Sequence, residues 1–484
     1  MKRLSPLVFV GILVMWVVSV SAQGVDKVEQ LRKQLQEMKA AFEAAQKQQR
    51  EQIETLQRQL DTLQRARSNP IEGSTAEASA PPAVRSPEPQ RGWSPADPIR
   101  IGNSSAYVDL GMVATFAVGG STANDIAGGT QLGGHDPNQR GFTVQGAELN
   151  LQGGVDPYFR GNANIAYLLG DSGETGVELE EAWLETVALP GNLQIRAGQY
   201  LTDFGRINTQ HPHSWGFVDA PIVSGRLLGE DGLRNPGVRL SWLAPTPFYS
   251  ELFFGMQNSQ GGTAYSFRDN HDNEAFLGRL NDERGVKAFS DMLFSTRYAA
   301  SFDLSETQTL LGGLSALFGP NSSGGDTDTQ VYGTDVYWKW KSPRAHGGFP
   351  FVSWQTEAMF RRYVAGASTS VDLNADSIPD FVPRETISDW GMYTQILWGF
   401  RPGWVAGLRG DFVTGQQAAY ERLYGADLSR AQRWRFSPNL TWYPSEFSKI
   451  RLQYNYDDRE AIGVDHSVWL QFEFLLGAHA AHKF

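Results

Sequence analysis

Arginine recurs on the polar positions of apolar-patterned segments along most of this 484-residue chain, at Arg160, Arg196, Arg239, Arg297, Arg361, Arg409, Arg433, Arg435 and Arg451. A guanidinium presents a planar fork of donors that matches carboxylate and phosphate, so arginines gathered around one space can strip and hold small anions. Carboxylates fall on the same parity at Asp109, Glu148, Glu251, Asp291, Asp335, Glu357, Asp411, Asp457 and Glu473. The surface they share is therefore mixed, and ion selectivity does not follow from counting charges.

A second concentration of polar residues lies between Asp203 and Asn235, with Arg206, His211, His213, Asp219, Arg226, Glu230, Asp231 and Arg234. His211 and His213, with His479 and His482 near the C-terminus, offer imidazoles to zinc. A His pair two residues apart in a loop is more often incidental than a ligand set. Asp372, Asn374, Asp376 and Asp380 are spaced like the early ligands of a calcium loop, but Ser377 stands where the turn glycine belongs. Zinc and calcium are thus two metal readings, and no cofactor is required by either pattern. Ser214 beside His213 and Ser467 beside His466 suggest hydrolase chemistry, yet neighbours on a strand point to opposite faces. The chain is expected not to be an enzyme. With no cysteine it has no thiolate nucleophile, disulfide or thiolate-held metal, and with Asp+Glu at 53 against Lys+Arg at 42 it does not read as a nucleic-acid binder.

The elements that must position these residues divide the chain into four. Residues 1–22 read as a signal peptide: Lys2 and Arg3, an apolar stretch from Leu7 to Val18, and small residues ending at Ala22. That stretch rises only about 18 Å as a helix, too short for a ~30 Å hydrocarbon core. Residues 23–67 read as a coiled coil, with a seam at Val28, Leu31, Leu35, Met38, Phe42 and Ala45 that resumes at Ile53, Leu56, Leu60 and Leu63 after a four-residue stutter. Residues 68–97 carry six prolines among Ser, Ala and Glu and read as a linker.

From residue 98 to 484 the period changes to two. Val108, Leu110, Met112, Ala114 and Phe116 form one such face, and Val468, Leu470, Phe472, Phe474 and Leu476 another. Sixteen segments are expected, centred near residues 112, 147, 163, 182, 197, 240, 252, 296, 312, 335, 357, 393, 408, 437, 453 and 472. Short turns at Val155-Asp156-Pro157, Leu189-Pro190-Gly191-Asn192 and Arg401-Pro402-Gly403 alternate with polar loops near 119–140, 203–235, 258–288 and 366–385. The fold class is an all-β transmembrane barrel of about sixteen antiparallel strands preceded by an α-helical coiled coil. Only Glu178, Glu180, Glu181 and Glu185 resist a single parity, which implies a bulge.

A barrel of about 24 residues per strand and connection encloses a water-filled lumen. The expected constriction is the loop 203–235 folded inward, its acids, Asp219 among them, facing Arg409, Arg433, Arg435 and Arg451 across the opening.

The runs GQYLTDFGR (198–206), HPHSWGFVDAP (211–221) and DGLRNPGVRLSWLAP (231–245) resemble the phosphate-selective porin superfamily of the O and P type. The likeness is nearer to its trimeric members with an N-terminal periplasmic coiled coil, some of whose relatives are described as zinc-regulated outer membrane proteins. This resemblance implies sixteen strands, a homotrimer, and passive uptake of small anions with Arg196, Arg206 and Arg226 near the eyelet. The lysine-rich site of the phosphate-specific members is not matched, since only Lys287, Lys339, Lys341, Lys449 and Lys483 occur in this region. The expected protein is an outer membrane porin of a Gram-negative bacterium, in contact with lipid and small hydrophilic solutes, with Arg234 and Arg239 also lining its constriction. Two alternatives stand beside it: a structural protein tethered to peptidoglycan through the coiled coil, and a metal-linked receptor or transporter.

Overall fold

The computed structural model describes residues 99–103, 106–154, 156–170, 173–268, 275–282 and 284–477. The expected signal peptide, coiled coil and linker, and the His479 and His482 pair, lie outside the described residues.

Sixteen strands follow one another around a closed antiparallel barrel: β1 Tyr107–Ser121, β2 Gly141–Gly154, β3 Phe159–Leu169, β4 Thr175–Thr186, β5 Leu193–Leu201, β6 Arg234–Leu243, β7 Tyr249–Asn258, β8 Met292–Ser305, β9 Gln308–Pro320, β10 Asp328–His346, β11 Phe349–Ala365, β12 Glu385–Arg401, β13 Trp404–Gly415, β14 Arg433–Ser445, β15 Ser448–Arg459 and β16 Gly463–Gly477. Closure comes from β16 pairing with β1, Gly477 opposite Gly111 and Ser467 opposite Ser121. Where β16 ends, a short strand Ile99–Gly102 continues the ladder on β1, with Ile99 opposite Leu110. A closed ladder leaves no strand edge unpaired, which a lipid-facing sheet requires. Each of the sixteen expected segment centres falls inside one of these strands. No helix among the described residues is long and apolar enough to cross a membrane.

The alternation reads inside out relative to a water-soluble sheet. Along β14, Arg433, Arg435, Ser437, Asn439 and Thr441 are buried in the interior, while Trp434, Phe436, Leu440 and Trp442 are exposed on the outer face. An apolar outer band is what hydrocarbon solvates and water does not.

Connections at one end are short, such as 306–307, 402–403 and 446–447. At the other end lie the long loops 122–140, 202–233, 259–291, 366–384 and 416–432, interspersed with short ones at 170–174, 321–327 and 460–462. The sequence reading missed 416–432 and extended the second long loop into Arg234 and Asn235, which open β6.

Besides register shifts next to short turns, one bulge interrupts the parity in β2 and one in β4. Thr115 pairs with Gly146 and Phe116 with Val144, leaving Gln145 extra in β2. Asn164 pairs with Glu181 and Ile165 with Leu179, leaving Glu180 extra in β4, so Glu180 and Glu181 are both buried in the interior. This is the bulge that the glutamate run implied.

Candidate functional site

The loop 202–233 runs into the barrel and carries a short helix, α1 Ile222–Leu228. Its apolar residues Phe204, Ile207, Ile222, Val223, Leu227 and Leu228 pack inside the wall against Leu293, Leu317, Val331, Met359, Tyr393 and Val413. Near its start, Gly205 N donates to Ser315 Oγ at 3.1 Å, and the amides of Arg206 and Ile207 donate to the Glu357 carboxylate at 3.1 and 2.8 Å. Gly205 sits at φ 59°, and a Cβ there would lie 2.2 Å from Glu357 Oε2, so the approach to the wall needs glycine. The Arg206 guanidinium lies 4.0 Å over the Tyr337 ring and donates to Gln355 Oε1 at 3.1 Å.

The middle of the loop is held by the arginine wall. Arg409 donates to the Asp219 carboxylate at 2.7 Å and to its carbonyl oxygen at 2.8 Å, and Arg435 reaches the other carboxylate oxygen at 3.1 Å. Gln453 and Asn455 donate to the same carboxylate at 2.9 and 3.0 Å. Arg451 donates to the carbonyls of Phe217 and Trp215 at 2.8 and 3.0 Å, and Lys449 to that of His213 at 2.6 Å. Arg433 pairs with Asp457 and binds the carbonyl of Gly129 in the loop 122–140 at 2.9 Å. The sequence reading set these arginines across an opening from the loop acids; Arg409 and Arg435 instead touch Asp219 directly, and all four are closed on carboxylates or loop carbonyls. Burial opposes the charge of Asp219, but the two guanidiniums hold its carboxyl below the usual range. Asp136, which accepts from Ala220 N at 2.8 Å, is pushed up to about 7 by burial and by the Asp219 charge.

The remaining arginines divide between the two ends. Arg226, on α1, donates to the carbonyls of Arg430 and Ala431 at 3.2 and 2.9 Å, and burial lowers it to about 10. It borders a cavity of about 620 Å³ at the long-loop end whose charged lining is balanced, Arg226, Arg433 and Arg459 against Asp125, Glu230 and Glu460. At the short-turn end Arg160, Arg196 and Arg239 converge on the single carboxylate of Glu185, Arg196 at 2.7 Å and Arg239 at 2.8 Å. The Arg160 side chain there is 58% exposed. Arg234, by contrast, is buried against Glu178, Glu180 and Asp231.

His211 and His213 meet a partner set that spacing alone did not reveal. The rings stack in parallel with centroids 5.8 Å apart and face Glu148, Glu180 and Glu181 on β2 and β4. His135, from the loop 122–140, reaches the other oxygen of Glu180 at 3.1 Å. Burial alone would make both His135 and His211 less basic, but the carboxylates prevail, raising His135 to about 9 and His211 well above its ordinary value.

In the loop 366–384 the side chains of Asp372, Asn374, Asp376 and Asp380 accept from the loop's own amides, as Asp372 does from Asp376 N at 3.1 Å. Among the described residues the convergent His and carboxylate triads are those of His135 and His211, not this loop. Ser214 donates to the carbonyl of His211 at 2.7 Å, and His466 bonds Tyr454 on the outer face, so neither Ser-His neighbour pair engages.

No protein-family model matches the chain. A protein of Aquifex aeolicus (strain VF5), described as uncharacterized, is 32% identical over 378 residues, covering 73% of this chain and 73% of that protein. Among solved structures, the outer membrane channel DcaP of Acinetobacter baumannii matches with a TM-score of 0.51 at 14% identity, over 78% of this chain and 99% of that one. An anion-selective porin from Comamonas acidovorans matches with a TM-score of 0.47 at 10% identity, over 77% and 100%. The likeness to DcaP shows a porin-like barrel fold.

Proposed function

We propose that this chain, which belongs to the same family as the Aquifex aeolicus protein, is an outer membrane porin of a Gram-negative bacterium. It is a passive channel for small hydrophilic anions of the dicarboxylate or phosphate-like kind. The observation that carries the anion preference is the gathering of three guanidiniums, Arg160, Arg196 and Arg239, around two carboxylates, Glu185 and the Asp203 that Arg239 reaches at 3.5 Å, with the Arg160 side chain open to water. The likeness in fold to DcaP, an outer membrane channel, and the apolar outer band support the membrane setting.

The loop 202–233 forms the constriction, with Arg206, Asp219 and Arg226 on it, Arg234 just beyond its end on β6, and Arg409, Arg433, Arg435 and Arg451 fixing it in turn. Solutes pass beside the docked loop rather than through a ring of free arginines. The segment 23–67 is read as a periplasmic coiled coil that holds a homotrimer together. Purified protein in a planar bilayer tests the channel: block of its conductance by millimolar dicarboxylate or phosphate supports the reading, and a folded barrel that never conducts sinks it. Removing residues 23–67 tests the assembly role, which predicts loss of the trimer with conductance retained.

A further inference from the structure

We propose that Glu148, Glu180 and His211 bind one divalent transition-metal ion, with the carboxamide oxygen of Asn164 as a fourth ligand, and that this ion fastens the loop 202–233 to the barrel wall.

Three observations carry it. The first is the donor set and its spacing. Nδ1 of His211 lies 3.3 Å from Glu180 Oε2 and 3.9 Å from Glu148 Oε2, and one ligand atom from each of the three residues lies within 4.8 Å of the others. Metal–nitrogen and metal–oxygen bonds of about 2.0–2.2 Å put neighbouring ligand atoms of a tetrahedron roughly 3.3–3.6 Å apart. Charge-assisted hydrogen bonds, by comparison, close to about 2.7–2.9 Å. The contacts around His211 match the first separation better than the second.

The second observation is Asn164 on β3, which is fully buried. Its Nδ2 is crowded among Glu180 Oε2, Glu148 Oε2 at 3.4 Å and His211 Nδ1 at 3.2 Å, while its Oδ1 finds no hydrogen-bond partner. Nitrogen and oxygen of a carboxamide are interchanged by a simple flip. The flipped amide frees its nitrogen from the crowd and aims an oxygen at two carboxylates and an imidazole, an arrangement that a cation at the centre makes favourable.

The third observation is the charge around the cluster. Glu148, Glu180 and Glu181 surround the single imidazole of His211, an excess of carboxylate that a divalent cation offsets. The fixed cation Arg234 stands on the far side, 3.6 Å from the Glu180 oxygen that faces His135. A metal therefore suits the His211 side of Glu180 and not the neighbouring triad of His135, Glu178 and Asp231, where the guanidinium already sits. The bulge that turns both Glu180 and Glu181 inward is what assembles the wall half of the site.

The test uses full-length folded protein stripped with a chelator, then equilibrated with Zn²⁺ and, as a spectroscopic probe, Co²⁺. The proposal predicts one ion per chain and intense visible Co²⁺ absorption of low-symmetry N/O ligation. His211→Gln and Glu148→Gln should each weaken binding by at least ~10-fold, whereas a His479→Gln, His482→Gln double variant should bind as the wild type does. Should the variants fail to fold, as judged by the heat-dependent gel mobility of the barrel, acylation mapping on wild-type protein decides: Zn²⁺ should protect His211 from diethyl pyrocarbonate. Binding equal in wild type and variants, less than one ion per chain, or an unprotected His211 would overturn the proposal. None of these readouts depends on conductance, so the site stands or falls apart from the channel reading.

Discussion

Arg409 grips Asp219 twice, through the carboxylate at 2.7 Å and the backbone carbonyl at 2.8 Å, although 190 residues separate them. Both side chains are buried, so this is a latch between wall and loop rather than a surface ion pair. Removing one partner of a buried pair strands the other, at a cost of about 3–5 kcal/mol. Arg409→Ala should fall within that range: Arg435, Gln453 and Asn455 still hold Asp219, but the buried Asp411, 2.8 Å from the guanidinium, loses its cation. The expected result is a larger, noisier single-channel conductance. Arg409→Lys should be intermediate, since an ammonium keeps the charge and loses the fork. Conductance unchanged in Arg409→Ala would mean that the loop does not limit flow.

Gly205→Ala tests the other anchor. The new Cβ would meet Glu357 Oε2 at 2.2 Å and impose a positive φ on alanine, so the amides of Arg206 and Ile207 must leave the carboxylate. Strain of this kind costs on the order of 1–3 kcal/mol. Limited proteolysis should then cut within 202–233 in the variant and spare the wild type.

Asp136 gives the docked loops a pH dependence. Its folded pKa is raised to about 7 from an ordinary carboxyl value, so between those two values the folded protein binds a proton that the unfolded chain does not. The stability this group contributes is therefore greatest at acid pH and is lost as pH rises through about 7. Asp136→Asn keeps an acceptor for Ala220 N and removes the titration. Its melting temperature should vary less between mildly acidic and mildly alkaline pH than that of the wild type, and parallel curves would contradict the assignment.

The strands were legible because period-two alternation over nine or more residues has few other causes, and the inward parity of Arg409, Arg433, Arg435 and Arg451 came with it. The loop 416–432 was missed because Ala419–Tyr424 is a short helix with no alternation. What those arginines do was not legible, since it depends on the inward path of 202–233 and on contacts such as Asp219 to Arg409. The histidine and glutamate cluster was hidden for a more local reason: the extra residues at Gln145 and Glu180 break parity where β2 and β4 supply the carboxylates. The glutamate run at 178–181 announced the bulge but not its partners.

Charge reversal at the short-turn mouth should change selectivity without releasing the loop. Arg160→Glu leaves the latch on Asp219 untouched and adds a carboxylate beside Glu185. The variant should shift toward cations with little change in conductance at high salt, where exposed charges are screened. A parallel variant at Arg100, which pairs with Asp109 at 2.7 Å away from this cluster, should keep the wild-type preference.

The most direct test of the channel reading is the zero-current potential of the wild-type protein across a planar bilayer under a salt gradient. The account predicts stepwise openings and a potential that favours anions, reduced or reversed in Arg160→Glu. Conduction with a cation-favouring potential, or a folded barrel that passes no current, would contradict it.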